Sequence, residues 1–287
     1  MLTAVRYDLT PGQIAAAVAG FLRSTGRRPG RFVLAVVATD HPLADVARTV
    51  ECAVFDDAFG NTPEVMAAEY GPYEDRSRFF LVIDRRTGRP AGAGRVITGP
   101  ADQLKTIVDA PAHIGRTADE ILDAHGLRDA TVWDFATVAV LPAYRGTLTV
   151  SSLLYRTFAV ACARAGVDHV VTLLDARACR NMALIGVHLE PLAGSAPFAY
   201  LGSTETRALY SRASTYLPDI RRQSRDLLRP GARHAGQIRA TGLRKLLIRA
   251  AAARVAHRIG TGRGLDPTII WTDQPVTRSS GAGLSRL

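Results

Sequence analysis

Residues 131–166, TVWDFATVAVLPAYRGTLTVSSLLYRTFAVACARAG, place a single carboxylate, Asp134, inside an apolar run and a guanidinium, Arg145, just past its end. Val132 to Leu141 reads as a strand covered on both faces, where a carboxylate needs a partner or a job. Beyond Arg145-Gly146-Thr147-Leu148-Thr149, the residues Val150, Leu153, Leu154, Phe158, Ala161 and Ala165 recur at helical spacing, with Thr149 as cap and Gly166 as stop. Strand, tight basic turn and helix start together make an anion site. First-turn N–H groups have no partner within the helix, the positive end of the dipole lies there, and Arg145 adds a charge. The arrangement points to a phosphate-bearing ligand, such as coenzyme A or a phosphopantetheine arm.

The elements around this unit can be read in turn. Asp168 to Leu174 predicts the next strand, and Asp175 caps a short helix, ARACRNMALIGV, that carries Asn181. Upstream, YEDRSRFFLVIDRRTGRPAGAGRVITG, from Tyr73 to Gly99, predicts a hairpin joined at Thr87-Gly88. This order of motifs resembles the GNAT N-acyltransferase superfamily over roughly residues 40 to 215, and most nearly the acyl-homoserine-lactone synthases and long-chain N-acyl amino acid synthases. The resemblance implies an α/β fold with a GNAT-like mixed central sheet flanked by helices, the segment from Arg48 through Tyr70 giving two early helices. The pyrophosphate loop of that superfamily, R/Q-x-x-G-x-G/A, is matched in part: Arg145 and Gly146 are present, the spacing is compressed and a second glycine is absent.

The same resemblance suggests roles. Arg145, Gly146, Thr147 and Thr149 would hold the donor phosphate, Asn181 the pantetheine arm, and a backbone N–H near Val138 to Val140 would polarise the thioester carbonyl. Arg95, after Gly92-x-Gly94, would hold an acceptor carboxylate or pair with Asp134. The two glycines either let something approach the backbone closely or mark a bulge. Asp134, placed by two-residue alternation on the face of Val138 and Val140, is the first choice for base or amine recognition, with a structural salt bridge as the competing reading. Glu51 lies on an early helix whose position alone does not decide whether it faces a cleft. Glu74 and Asp75 match an acidic loop loosely and read better as a solvated turn. Tyr210 is a candidate to protonate the leaving thiolate, against a core aromatic, and His188 falls where a Tyr is expected in the superfamily.

Composition bounds the rest. With 287 residues and 47% hydrophobic content, the chain can bury a sizeable core. No apolar run approaches the roughly 18 residues of a membrane span. Asp8 interrupts any reading of the N-terminus as a signal peptide, Thr10-Pro11 starts a helix instead, and a cytoplasmic protein is expected. Cys52, Cys162 and Cys179 are odd in number and widely spaced, which favours reduced thiols, and the seven histidines show no metal-ligand spacing, so no metal is expected. Gly92-x-Gly94 fails as a dinucleotide loop because Ile97 takes the third glycine's place. Between Ile220 and Arg263, eleven arginines and Lys245 face only Asp226, a net of +11 against +10 for the whole chain. Three regions follow: an N-terminal helix within 1–30, an acyltransferase domain over 31–219, and a basic helical extension with a loose tail over 220–287.

The expected activity is transfer of an acyl group from acyl-ACP or acyl-CoA, as co-substrate and not a tightly bound cofactor, to the amine of a small molecule such as an amino acid. The basic extension could recruit an acidic acyl carrier protein, or meet nucleic acid or an anionic membrane. The alternatives are a CoA-dependent N-acetyltransferase of small amines or protein N-termini, and a non-catalytic binding module of the same fold.

Overall fold

The computed structural model describes residues 5–26, 30–229, 238, 240–263 and 268–272. In chain order the elements are α1 (Pro11–Ser24), β1 (Phe32–Ala38), α2 (Pro42–Phe59), α3 (Pro63–Tyr70), β2 (Ser77–Asp84), β3 (Arg89–Ile97), α4 (Lys105–Asp109), α5 (Pro111–Ile114), α6 (Ala118–His125) and β4 (Val132–Val140). There follow α7 (Thr149–Ala165), β5 (His169–Asp175), α8 (Ala176–Ile185), β6 (Glu190–Pro191), β7 (Phe198–Tyr200), β8 (Ser203–Arg212), α9 (Tyr216–Asp226), α10 (Gly242–Thr261) and β9 (Thr268–Trp271). Local chemistry sets many of these boundaries. Thr10 and Gln13 form a capping box with Pro11 at the first helical position, and Asp175 caps α8 by accepting from the N–H groups of Arg177 and Ala178. The β2–β3 hairpin closes on Gly88 at φ +65°, whose N–H donates to the Asp84 carbonyl.

The strands form one mixed sheet in the order β6-β8-β5-β4-β3-β2-β1-β9, with β7 paired to β8. β1 to β4 run antiparallel along their lengths, and β5 pairs with β8 from His169 to Asp175. Between these halves, β4 and β5 pair in parallel only at Val132, Trp133 and Asp134. Beyond Asp134 no pairing joins the two strands, so the sheet opens from that point toward the C-terminal end of β4.

One face of the sheet packs against α7, α9 and α10, around Leu154, Phe158, Phe135 and Ile259. The other carries α1 and α2 against β1 to β3, and α3 to α6 beside the start of β4. The region after Ile220 belongs to this body in part: α10 packs on α7, α8 and α9 and buries Ala252, Ala253, Ala256 and Ile259. Leu243, Leu246 and Leu247 lie in the exposed first turns of α10 and do not seat on the core. Residues 268–271, expected in a loose terminus, add β9 in parallel to the sheet edge at β1. Among the described residues no helix is long and apolar enough to cross a membrane.

Gly92 and Gly94 let α7 lie close against β3. A Cβ at Gly92 would stand 2.7 Å from the Ala139 carbonyl oxygen and 2.8 Å from a methyl of Val150, and one at Gly94 would stand 3.2 Å from the Thr137 oxygen. Close approach therefore accounts for both glycines, and a bulge stands beside each as well, at Ala91 before Gly92 and opposite Arg95 after Gly94. Gly92→Ala is expected to destabilise the protein by about 1–3 kcal/mol through overpacking, and Gly94→Ala by less, as read from urea denaturation midpoints.

Candidate active site

A cleft of about 770 Å³ occupies the opening between β4 and β5. Its walls include Asp134 to Val138 and Val140 on β4, Leu173 to Asp175 on β5, Ser151 and Tyr155 on α7, Asn181 on α8 and Tyr200 at the end of β7. Two physical features of β4 decide what the cleft presents.

The first is backbone direction. The Leu141 N–H donates to the Ala91 carbonyl at 3.1 Å, extending the β3 ladder, so Leu141, Ala139 and Thr137 turn their polar groups toward β3. Val138 and Val140 then point theirs the other way, into the opening that β5 has left. Arg145 makes that direction visible, donating from Nε to the Val140 carbonyl at 2.9 Å.

The second is a bulge. Arg95 pairs with Thr137 but Val96 pairs with Phe135, leaving Ala136 as an extra residue. The extra residue reverses the alternation, so the expectation that Asp134 shares a face with Val138 and Val140 is corrected. Val138 and Val140 pack on the α7 side, whereas Thr137 reaches Glu51 on α2 and Asp134 reaches Thr106 on α4.

Asp134 still lines the cleft, at its closed end, with only 1% of its surface exposed. Its carboxylate accepts from the Thr106 N–H at 2.5 Å and from the Thr106 hydroxyl at 2.9 Å. Burial pushes its pKa up to about 7, although the Thr106 bonds and the nearby Lys105 pull downward. Among the described residues no arginine pairs with it. Lys105 beside it is held by Glu69 at 2.7 Å and Asp109 at 2.6 Å, with its ammonium 5.4–5.7 Å from the rings of Tyr70, Tyr73 and Tyr200. The Tyr200 hydroxyl donates to Asp109 at 2.5 Å. Burial alone would lower the Lys105 pKa, but the two carboxylates raise it, so the ammonium stays charged.

Arg95 and Glu51 lie one layer behind the cleft wall, both fully buried. Arg95 donates to Glu51 at 2.9 Å, Glu74 at 3.0 Å and the Tyr7 hydroxyl at 3.0 Å, and Glu51 also accepts from Thr137 at 2.6 Å. Arg48 holds the other Glu74 oxygen at 2.6 Å. Arg95 therefore neither pairs with Asp134 nor reaches an acceptor, and Glu51 does not face the cleft. Glu74, read as a solvated turn, is buried within this network, whereas Asp75 is exposed. Tyr210 donates to Glu190 and packs on His125, outside the cleft, and His188 is likewise not among the lining residues. Neither can protonate a thiolate in the cleft. Burial pushes the thiol pKa of Cys52 up to about 11 and raises that of Cys162, which leaves both as poor nucleophiles.

At the open end, α7 begins at Thr149 as expected, but Leu148 is its N-cap, at φ +54°, and no side chain caps the first turn. Thr149 is the first helical residue and not the cap. Arg145 lines the cleft beside this turn and also reaches Asp57 of α2 at 3.4 Å. Gly146 and Thr147 end the 3₁₀ turn Pro142–Thr147, and their side chains lie outside the described residues. Asn181 is exposed on the cleft-facing side of α8. Tyr155, one residue past the apolar stripe of α7, presents a second hydroxyl, its pKa pushed up to about 12 by burial. Sequence reasoning missed Lys105, Thr106, Tyr155 and Tyr200. Only Tyr155 carried a local signal, as an aromatic off the helical stripe.

No protein-family model and no curated protein matches the chain. Among solved structures, the fold matches that of FeeM, an N-acyl amino acid synthase from uncultured soil microbes, at a TM-score of 0.50 and 12% identity, over 66% of this chain and 94% of that one. The CoA-dependent acyl-homoserine lactone synthase BjaI aligns at a TM-score of 0.47 and 12% identity, over 85% of this chain and 94% of its own. The match to FeeM and the observed strand order accord with the expected architecture, a GNAT-like mixed sheet flanked by helices.

Removing Arg95 would leave the buried Glu51 without its cation and take one of two arginines from Glu74. Arg95→Met is expected to cost about 3–5 kcal/mol, and adding Glu51→Gln to recover part of that loss, as measured by chemical denaturation of the single and double variants.

Proposed function

We propose that the protein transfers an acyl group from a thioester to the amine of a small molecule. One observation carries this reading: the opening of the sheet after Asp134 brings a buried carboxyl, the cleft-facing N–H groups of Val138 and Val140, and the first turn of α7 into a single cavity. The three requirements of amide formation map onto these groups. Asp134 accepts a proton from the attacking amine, and the β4 N–H groups stabilise the oxyanion formed at the thioester carbonyl. As the new C–N bond forms and the C–S bond breaks, the thiolate leaves toward Tyr155, whose hydroxyl can protonate it. Arg145, the α7 first turn and Asn181 suit the phosphate and amide groups of CoA or a phosphopantetheine arm.

Beside the cleft, sharing Phe135, Tyr155, Leu174 and Met182 with it, lies an apolar recess of about 20 Å³ that Phe158, Val187 and Tyr216 close. Its hydrocarbon walls suit the methyl end of a short acyl group. Its small size supports a second reading, a CoA-dependent acetyltransferase, and the rates with acetyl, octanoyl and palmitoyl donors separate the two. The basic surface of α9 and α10 is complementary to an acidic acyl carrier protein, which supports delivery of the donor by that route.

Because Asp134 must be ionised to act, kcat/KM is expected to rise with pH through about 7, following thioester consumption. Asp134→Asn should abolish that limb together with most of kcat, whereas an unchanged profile would remove Asp134 from the chemistry. Arg145→Ala should raise the donor KM about tenfold by removing a charged contact to phosphate, with little effect on kcat.

A further inference from the structure

Resting on the acyltransferase reading, we infer that the acceptor is an amine without a carboxylate near its nitrogen, a decarboxylated amine and not an amino acid. What decides the acceptor is which charges at the closed end of the cleft are already balanced. An amino acid bound with its nitrogen at Asp134 sets its own carboxylate one carbon away, so a cation must stand close by to receive it.

Four cations lie near enough to consider, and none stands free at the closed end. Arg95, the residue that the sequence offers for this task, is fully buried behind the wall, with its guanidinium donating to Glu51, Glu74 and Tyr7. Lys105 does line the closed end, but its ammonium carries two carboxylates, Glu69 and Asp109, and is enclosed by Tyr70, Tyr73 and Tyr200. Arg145 lies beside the start of α7, where it contacts Asp57 and the Val140 carbonyl. Arg177 also lines the cleft, but from the exposed first turn of α8 past the C-terminal end of β5, whereas Asp134 lies at the opposite end, where β4 pairs with β5.

Charge summed over the closed end is therefore negative. Glu69, Asp109 and an ionised Asp134 stand against Lys105 alone, and the Tyr200 hydroxyl is already directed at Asp109. An incoming carboxylate meets like charge there, while an ammonium meets carboxylates and tyrosine ring faces, which attract cations. Once bound, such an ammonium gives its proton to Asp134.

Matched pairs that differ only in the carboxylate test the inference: phenethylamine with phenylalanine, tyramine with tyrosine, and putrescine with ornithine. Binding of each to the full chain is followed by calorimetry, and thioester consumption with octanoyl-CoA and acetyl-CoA in parallel. The amine is expected to bind at least tenfold more tightly than its amino acid in at least one pair, and to be acylated correspondingly faster. Asp109→Asn, which leaves Lys105 with Glu69 alone, should narrow that ratio by improving the amino acid. Tighter amine binding without thioester consumption would uphold the acceptor class while refuting acyl transfer. Equal or tighter binding of the amino acids, or no binding by any member of the pairs, would overturn the inference.

Discussion

Every backbone amide of a central strand is normally consumed by its two neighbours, and a sheet built that way has nothing to offer a ligand. β4 keeps its bonds to β3 along its length but shares only three residues of pairing with β5. The donors freed on that side cannot be left dry without cost, so the geometry requires a solvent-filled or ligand-filled space beside Val138 and Val140. The cleft, the placement of α7 and α8 on either side of it, and the position of Asp134 at its closed end all depend on that divergence.

Holding the divergence open requires rigidity behind it. The Arg95 network supplies this from four separate parts of the chain: Tyr7 before α1, Glu51 on α2, Glu74 before β2, and Thr137 on β4 itself. Thr137 follows the bulged residue, so the network clamps β4 at the point where its alternation reverses. A buried ion network of this kind contributes little net stability relative to well-packed apolar residues. Its effect here is positional, since exchanging Glu51 or Arg95 would leave the bulge without its anchor.

What the sequence made legible was local and periodic. The strand from Val132, the helix from Thr149 and the hairpin around Gly88 each follow from patterns within a dozen or so residues, and all three stand in the structure. The side on which Asp134 projects did not follow, because a single unpaired residue at Ala136 is fixed by the β3 partner and not by β4 itself. The partners of Arg95 were hidden for a related reason: they lie 21, 44 and 88 positions away. Lys105 and Tyr200 meet only after β4, β5 and β6 have intervened, and neither sits in a recognisable motif. The spatial neighbours of a buried charge are a property of the fold, whereas its need for neighbours is a property of the residue.

Leu148 shows what the missing second glycine means for the chain. It adopts φ +54° and ψ 6°, a backbone state that glycine takes freely and that costs a leucine about 1–2 kcal/mol. The side chain so constrained is 43% exposed and stands at the rim of the cleft, where a glycine would have left bare peptide. Under the proposed function, a donor threading toward β4 passes an isobutyl group at the threshold, held on a backbone that leucine rarely adopts. A contact that relaxed this residue to an ordinary backbone state would gain affinity from the relaxation as well as from the contact, coupling the proposed grip on a donor to the shape of the doorway.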